Sequence, residues 1–185
     1  MTRSVHFPAR DVALITIFSA LVTVLVALTA PAVTVATAGI VPIPVWASFI
    51  WPMGGVFIRA LVGRPFTNAF SGVVEGIVGS FILPIGVFGL VVLPAQGLIL
   101  DAVFGWRRTK PTQLLPAVVA GALAGVFFVF IIVYVFFEVR KPFPLVASLL
   151  GGVAGSVSGG LGCLLARHII RLGIMPDSAI GREAV

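Results

Sequence analysis

Along almost the whole chain, long apolar runs alternate with short breaks of Pro, Gly and basic residues. The runs lie at about 11–30, 45–62, 67–83, 87–104, 114–137 and 144–166, and a polar tail covers 167–185. Each is close to the roughly 20 residues that carry a helix across the hydrocarbon of a bilayer. The pattern predicts six transmembrane helices in one integral membrane domain, with no separate soluble part. Pro31, Pro65, Pro84, Pro111 and Pro142 mark breaks between runs, because proline ends or bends a helix. The stretch from Pro31 to Pro44 is rich in Pro, Thr and Gly and is expected as a loop. Pro52 with Gly54-Gly55 predicts a kink in the second span, and Pro94 interrupts the fourth.

Composition supports the membrane reading. Of 185 residues 59% are hydrophobic and 10% charged, with mean hydropathy +1.20. A soluble domain of this size has too much surface to hide so many apolar side chains. The first run is too long for the core of a signal peptide and more spans follow it, so it is expected to be retained. The single cysteine, Cys163, allows no disulfide within the chain and lies in an apolar run as a small packing residue.

Charge adds orientation. The net charge of +6 would suggest nucleic-acid binding in a soluble protein, but here the cations cluster between apolar runs. With the N-terminus inside, the inner segments hold Arg3, Arg10, Arg59, Arg64, Arg107, Arg108, Lys110, Arg167, Arg171 and Arg182, and the outer ones only Arg140 and Lys141. The bias alternates as an even number of spans requires. Both termini are therefore expected in the cytoplasm of a multi-pass cell-membrane protein.

Small residues recur at helical spacing. Ala13, Thr16, Ala20, Thr23, Ala27 and Ala30 follow steps of three and four in the first span. The third span has Gly72, Gly76 and Ser80, the fifth Ala117, Gly121 and Gly125, and the sixth Ala147, Gly151, Gly155 and Gly159. Such stripes let helix backbones approach closely in lipid. They serve packing within one bundle or contact with a partner membrane protein, and the first helix is the better partner surface because its stripe runs the full span.

Two acids fall within the spans. Glu75 is at the middle of the third and Asp101 about a turn from the inner end of the fourth. A buried charge is costly in lipid, so Glu75 is expected to face a cavity or a neighbouring helix, or to sit as a neutral donor. Asp101 is near enough to the interface to pair with Arg107 or Arg108. Asn68 and Gln96 add neutral polar groups, and Gln96 is expected level with Glu75 on the adjacent antiparallel helix. A carboxylate opposite an amide suits a cationic or amine-bearing ligand. Trp46 and Trp51 near the start of the second span suit a membrane interface or a stacked ligand.

Catalysis finds little support. His6 and His168 lie at the cytoplasmic ends, far from Glu75 in depth. The chain has no Ser/His/Asp order, no paired metal-binding histidines and no Walker-type loop, so ATP energy would come from another subunit. Neither an enzyme nor a resident metal or cofactor is expected.

The opening Arg10-Asp11-Val-Ala-Leu-Ile-Thr-Ile-Phe-Ser-Ala-Leu is similar in style to the start of S components, the substrate-binding membrane subunits of energy-coupling factor (ECF) transporters. Arg64 to Phe104 resembles their YkoE-like branch more closely. The resemblance lies in Arg64-Pro65, Glu75, Gln96-Gly97 and Asp101, about a quarter of the chain. It implies a small six-helix bundle that binds a vitamin or precursor from outside and docks on a membrane scaffold subunit driven by two ATPases. It also implies docking through small residues of the first helix. The usual Ala-x-x-x-Ala is missing between 11 and 30, where Ser19, Ala20 and Thr23 stand. The loop from Pro31 to Pro44 corresponds to the ligand cap. The branch is associated with thiamine or its hydroxymethylpyrimidine precursor. The implied site is Glu75 against a pyrimidine amine, with Gln96, Asn68 and Asp101 near and Trp46 or Trp51 stacking.

The function expected is thus substrate binding for an ATP-driven vitamin importer, in a lipid bilayer and without nucleic acid. The alternative from another class is a structural or assembly membrane protein with no small-molecule site. An intramembrane enzyme lacks its nucleophile or metal set, and a self-contained transporter lacks an inverted repeat.

Overall fold

In a computed structural model the described residues are 7–36, 43–106, 109–136 and 143–173. Six α-helices follow in order: α1 Ala9–Ala36, α2 Ile43–Val62, α3 Thr67–Ile82, α4 Gly89–Trp106, α5 Leu114–Phe136 and α6 Phe143–Arg171. A short 3-10 turn, Gly86–Phe88, precedes α4. Five of the helical segments are long and apolar enough to cross a membrane. The sixth, α3, has 16 residues, about 24 Å at 1.5 Å per residue. Among the described residues the protein is all-helical and of membrane type.

The helices differ from the sequence expectation mainly at their ends. α1 does not stop at Pro31 but runs through it to Ala36. Proline costs one backbone hydrogen bond, which membrane helices tolerate when neighbours make up the loss. The expected cap loop therefore shrinks at both sides, since α2 already starts at Ile43 with Pro44 in its first turn. Residues 37–42 between them lie outside the described residues, as do Arg3, His6, Arg107, Arg108, Glu138, Arg140, Lys141 and the tail beyond 173. α6 continues five residues past Ala166, so Arg167, His168 and Arg171 stand on the helix itself.

Antiparallel neighbours pack with their small residues inward. In α3 against α4, a Cβ at Gly72 or Gly76 would meet the backbone of Leu93-Pro94 or Gly89-Leu90, and one at Gly97 would strike the Asn68 carbonyl. In α5 against α6 the seam is Ala117, Gly121 and Gly125 facing Gly159, Gly155 and Gly151, carbonyl to glycine. These stripes therefore work inside one bundle, where close backbone contact replaces the missing hydrophobic drive between helices. α2 is the central helix and touches all five others. α1 is the most exposed, with Ile17, Leu21, Leu25 and Leu28 facing outward.

Three apolar clusters fill the bundle. One joins Val26, Trp51, Leu93, Phe128 and Ile132, a second joins Val56, Leu100, Phe104, Ala120 and Cys163 nearer the chain's N-terminal end, and a small third joins Ile15, Ile58 and Val62 between α1 and α2. Most of the polar side chains fall between or beside these clusters, and that placement makes the site.

Candidate functional site

The site lies where α2, α3 and α4 meet. Trp51 and Gly55 of α2, Asn68, Ser71 and Glu75 of α3, and Leu93, Gln96, Gly97 and Leu100 of α4 enclose a cavity of about 10 Å³. That is about the smallest space that admits one water. Gly55 helps keep this space open, because a Cβ there would press on the ends of the Leu100 and Asn68 side chains.

Glu75 is 5% exposed. Its Oε1 accepts from Ser71 Oγ at 2.9 Å, one turn earlier on the same helix. Ser71 Oγ is 2.7 Å from Ser19 Oγ on α1. A hydroxyl has one proton, so with Ser71 donating to Glu75, Ser19 donates to Ser71. Thr23 Oγ1 in turn donates to the Ser19 carbonyl at 2.9 Å. The acid is thus held by a hydroxyl chain that ties α3 to α1.

Gln96 reaches the same cavity from a different depth. Gly97 lies over Asn68, Gly72 over Leu93 and Gly76 over Gly89. This register sets Gln96 about six residues, roughly 9 Å of helix axis, from the level of Glu75. The expectation of equal depth is corrected, yet the two side chains still converge. Side chains lean toward the N-terminus of their own helix, and α3 and α4 run opposite ways. Gln96 Nε2 also donates to the Ala124 carbonyl of α5, at a long 3.4 Å.

Asp101 has a different task. It is 8% exposed and does not line the cavity. Its Oδ2 accepts from the Ala69 backbone N–H at 2.9 Å and its Oδ1 from Asn68 Nδ2 at 3.0 Å. Arg59 Nη1 of α2 lies 3.6 Å from Oδ1. Ala69 is in the first turn of α3, whose preceding residue Phe66 supplies no side-chain cap. Asp101 therefore caps α3 from the neighbouring helix, where an anion meets the exposed N–H groups and the positive end of the helix dipole. Among the described residues its ion-pair partner is Arg59, while the expected partners Arg107 and Arg108 lie outside the described residues. Arg59 was counted in the sequence as a cytoplasmic boundary residue, and the structure buries it.

Two buried polar atoms beside the cavity have no hydrogen-bond partner: Trp51 Nε1 and Asn68 Oδ1. Each such group costs about 1–3 kcal/mol when left unsatisfied. A donor, an amide oxygen, an acid and a second amide thus surround one small space. The set can pair with a group that presents both N–H and acceptor edges. Trp51 also packs edge-on to Phe128, with ring centres 4.8 Å apart.

Trp46 is not part of this set. It stacks on Phe49 and donates from Nε1 to Thr29 Oγ1 at 2.9 Å, joining α2 to α1 near the end away from the N-terminus. The structure thus brings Glu75, Gln96, Asn68 and Trp51 together and leaves Trp46 and Asp101 outside. It adds Ser19, Ser71, Gly55 and Arg59. The sequence signal for Ser71 was its place four residues before Glu75. For Arg59 it was a lone cation inside an apolar run.

The small residues of α1 do not form one outward face. Ala13 and Thr16 are exposed, Ala20 and Ala27 half-buried, and Thr23 and Ala30 buried. Steps of three and four average 3.5 residues, so the stripe rotates about 20° per heptad around a 3.6-residue helix. The observed start of α1 at Ala9 brings Ala9 and Ala13, both exposed, into one helix four residues apart.

The chain matches no protein-family model, no curated protein and no solved structure.

Proposed function

We propose that this chain is the substrate-binding membrane subunit of an ATP-driven importer of a vitamin or vitamin precursor, an ECF S component of the YkoE-like kind. The observation that carries the proposal is the cavity around Glu75, with unpartnered Trp51 Nε1 and Asn68 Oδ1 beside it. Such a constellation inside a membrane bundle is costly unless it serves a ligand. An aminopyrimidine, as in thiamine or hydroxymethylpyrimidine, offers the matching amine and ring nitrogens. In this reading the closed cavity is the unliganded state, and the ligand enters as the Ser19–Ser71 contact between α1 and α3 parts.

The proposal has six spans with both termini in the cytoplasm of the cell membrane. Ten of twelve basic residues lie on the assigned inner side. α3 completes the count as a short span shielded by α1, α2 and α4. The scaffold subunit docks on the exposed small residues of α1, Ala9, Ala13 and Thr16, and two ATPase subunits supply the energy.

The test is the melting temperature of the purified protein across a vitamin panel. Thiamine or hydroxymethylpyrimidine is expected to raise it by several degrees; a flat profile across the panel rejects the reading. The cavity of about 10 Å³ favours a second reading, an assembly protein whose buried polar groups only order the helices. Mass spectrometry of protein taken from its native membrane separates the two, since only the first carries a bound small molecule.

A further inference from the structure

Away from the Glu75 cavity, a much larger groove of about 360 Å³ runs between α4 and α5. Its walls are Ala102 and Val103 on one side and Leu115, Pro116, Val119 and Leu123 on the other, and Thr109 closes one end. Apart from Thr109 the lining is apolar. Leu115, Val119 and Leu123 recur every fourth residue and form one ridge along α5. Leu115 is 74% exposed, so the groove opens to the outside of the bundle.

The closed end of the groove is basic. Lys110 is exposed next to Thr109, and α6 brings Arg167 and exposed Arg171 to the same end. Pro116 has no N–H, so the Thr112 carbonyl lacks its helical partner. Arg167 Nε donates to that carbonyl at 2.6 Å instead. This contact fixes a cation at the start of α5, near that end of the groove. Among the described residues of 109–136 and 143–173 there is no acidic side chain.

We infer that this groove binds an anionic phospholipid of the cytoplasmic leaflet, one acyl chain lying along α4 and α5 and the phosphate held at Lys110 and Arg167. A second helix fits less well. Close helix contact in lipid needs small residues at the interface, and the ridge here is Leu and Val. It spans eight residues, about 12 Å, which suits part of a flexible chain better than a helix face. The cations select the charge, because each Lys or Arg near a membrane surface adds attraction for acidic lipid. The inference rests on the inward orientation proposed above and not on the vitamin reading.

The test uses the full chain in detergent with equal amounts of phosphatidylglycerol and phosphatidylcholine of the same acyl chains, and counts retained lipid by native mass spectrometry. The wild type is expected to retain phosphatidylglycerol in clear excess. Lys110→Ala is expected to cut that preference about fivefold, the equivalent of one surface cation, with phosphatidylcholine unchanged. Val119→Trp fills the groove and is expected to lose both lipids. If Val119→Trp does not fold, Leu123→Trp at the other end of the ridge gives the same reading. Equal retention of the two lipids by the wild type, or undiminished retention in the filled variant, overturns the inference. The second result is also what a groove reserved for a protein helix would give. Phosphatidylglycerol preference with a flat vitamin profile would keep this site and reject the vitamin function.

Discussion

The α3–α4 and α5–α6 pairs are built by the same device and carry different side chains. Both are antiparallel, and both bring glycine against a neighbouring backbone carbonyl. The buried side chains of α5 and α6 are apolar apart from two hydroxyls, Ser148 and Ser158. Those of α3 and α4 include Asn68, Ser71, Glu75, Gln96 and Asp101 beside apolar Leu93, Leu100 and Phe104. Close approach of backbones is therefore a general means of holding two helices in lipid. α5 and α6 pack in this way with no buried acid or amide, so the acids and amides of α3–α4 are an addition to the packing. Asp101 with Arg59 and the Ala69 N–H belongs to the architecture of the α3 terminus. Glu75 with Trp51, Asn68 and Gln96 is the set that the proposed function assigns to a ligand.

The division is open to attack by substitution. Asp101→Ala is expected to have the largest effect, a loss of about 3–5 kcal/mol, because the buried Arg59 loses its counter-charge and α3 loses its cap. Thermal or denaturant unfolding in detergent measures it, and a loss under 1 kcal/mol would remove Asp101 from the architecture. Gly155→Leu forces a side chain onto the Gly121 carbonyl across the seam. It is expected to cost about 1–3 kcal/mol by overpacking, read in the same unfolding curves. An unchanged midpoint would mean that α5 and α6 do not approach as closely as described.

Glu75→Gln tests the other half of the contrast. Its shape is conserved, so stability is expected to change by under about 1 kcal/mol while affinity for an aminopyrimidine ligand falls at least about tenfold. Isothermal titration beside a melting curve reads both; a large stability loss with unchanged affinity would move Glu75 into the architecture with Asp101. The smallest effect is expected from Trp46→Phe, which removes the bond to Thr29 and trims the ring that stacks on Phe49. The loss is about 1 kcal/mol in the melting curve, and ligand affinity is unchanged. A fall in affinity would bring Trp46 back into the site.

Residue pattern alone was enough for the helical class, for six elements and for most of their limits. Where it erred, the physics was local and ambiguous. Pro31 in a soluble helix is a stop, whereas in α1 the chain continues through it. At the other end of α1 an expected start at residue 11 leaves Ala9 out, which hid the Ala9 and Ala13 pair. Glu75 and Gln96 stood out as polar groups in apolar runs, a property of the sequence. Their relative depth did not, since it depends on which glycine meets which backbone.

What the sequence determined by itself is that this chain has apolar helices for a membrane, cations gathered between them, and a few polar groups inside them. Those follow from hydropathy and charge, which each residue carries wherever it is placed. Which of the polar groups meet was decided only in the folded bundle. Asp101 reaches Arg59 and the start of α3, and Glu75 reaches Ser71 and Ser19. Those meetings depend on helix rotation and on the register set by Gly72, Gly76 and Gly97, and a side chain's type carries no record of either.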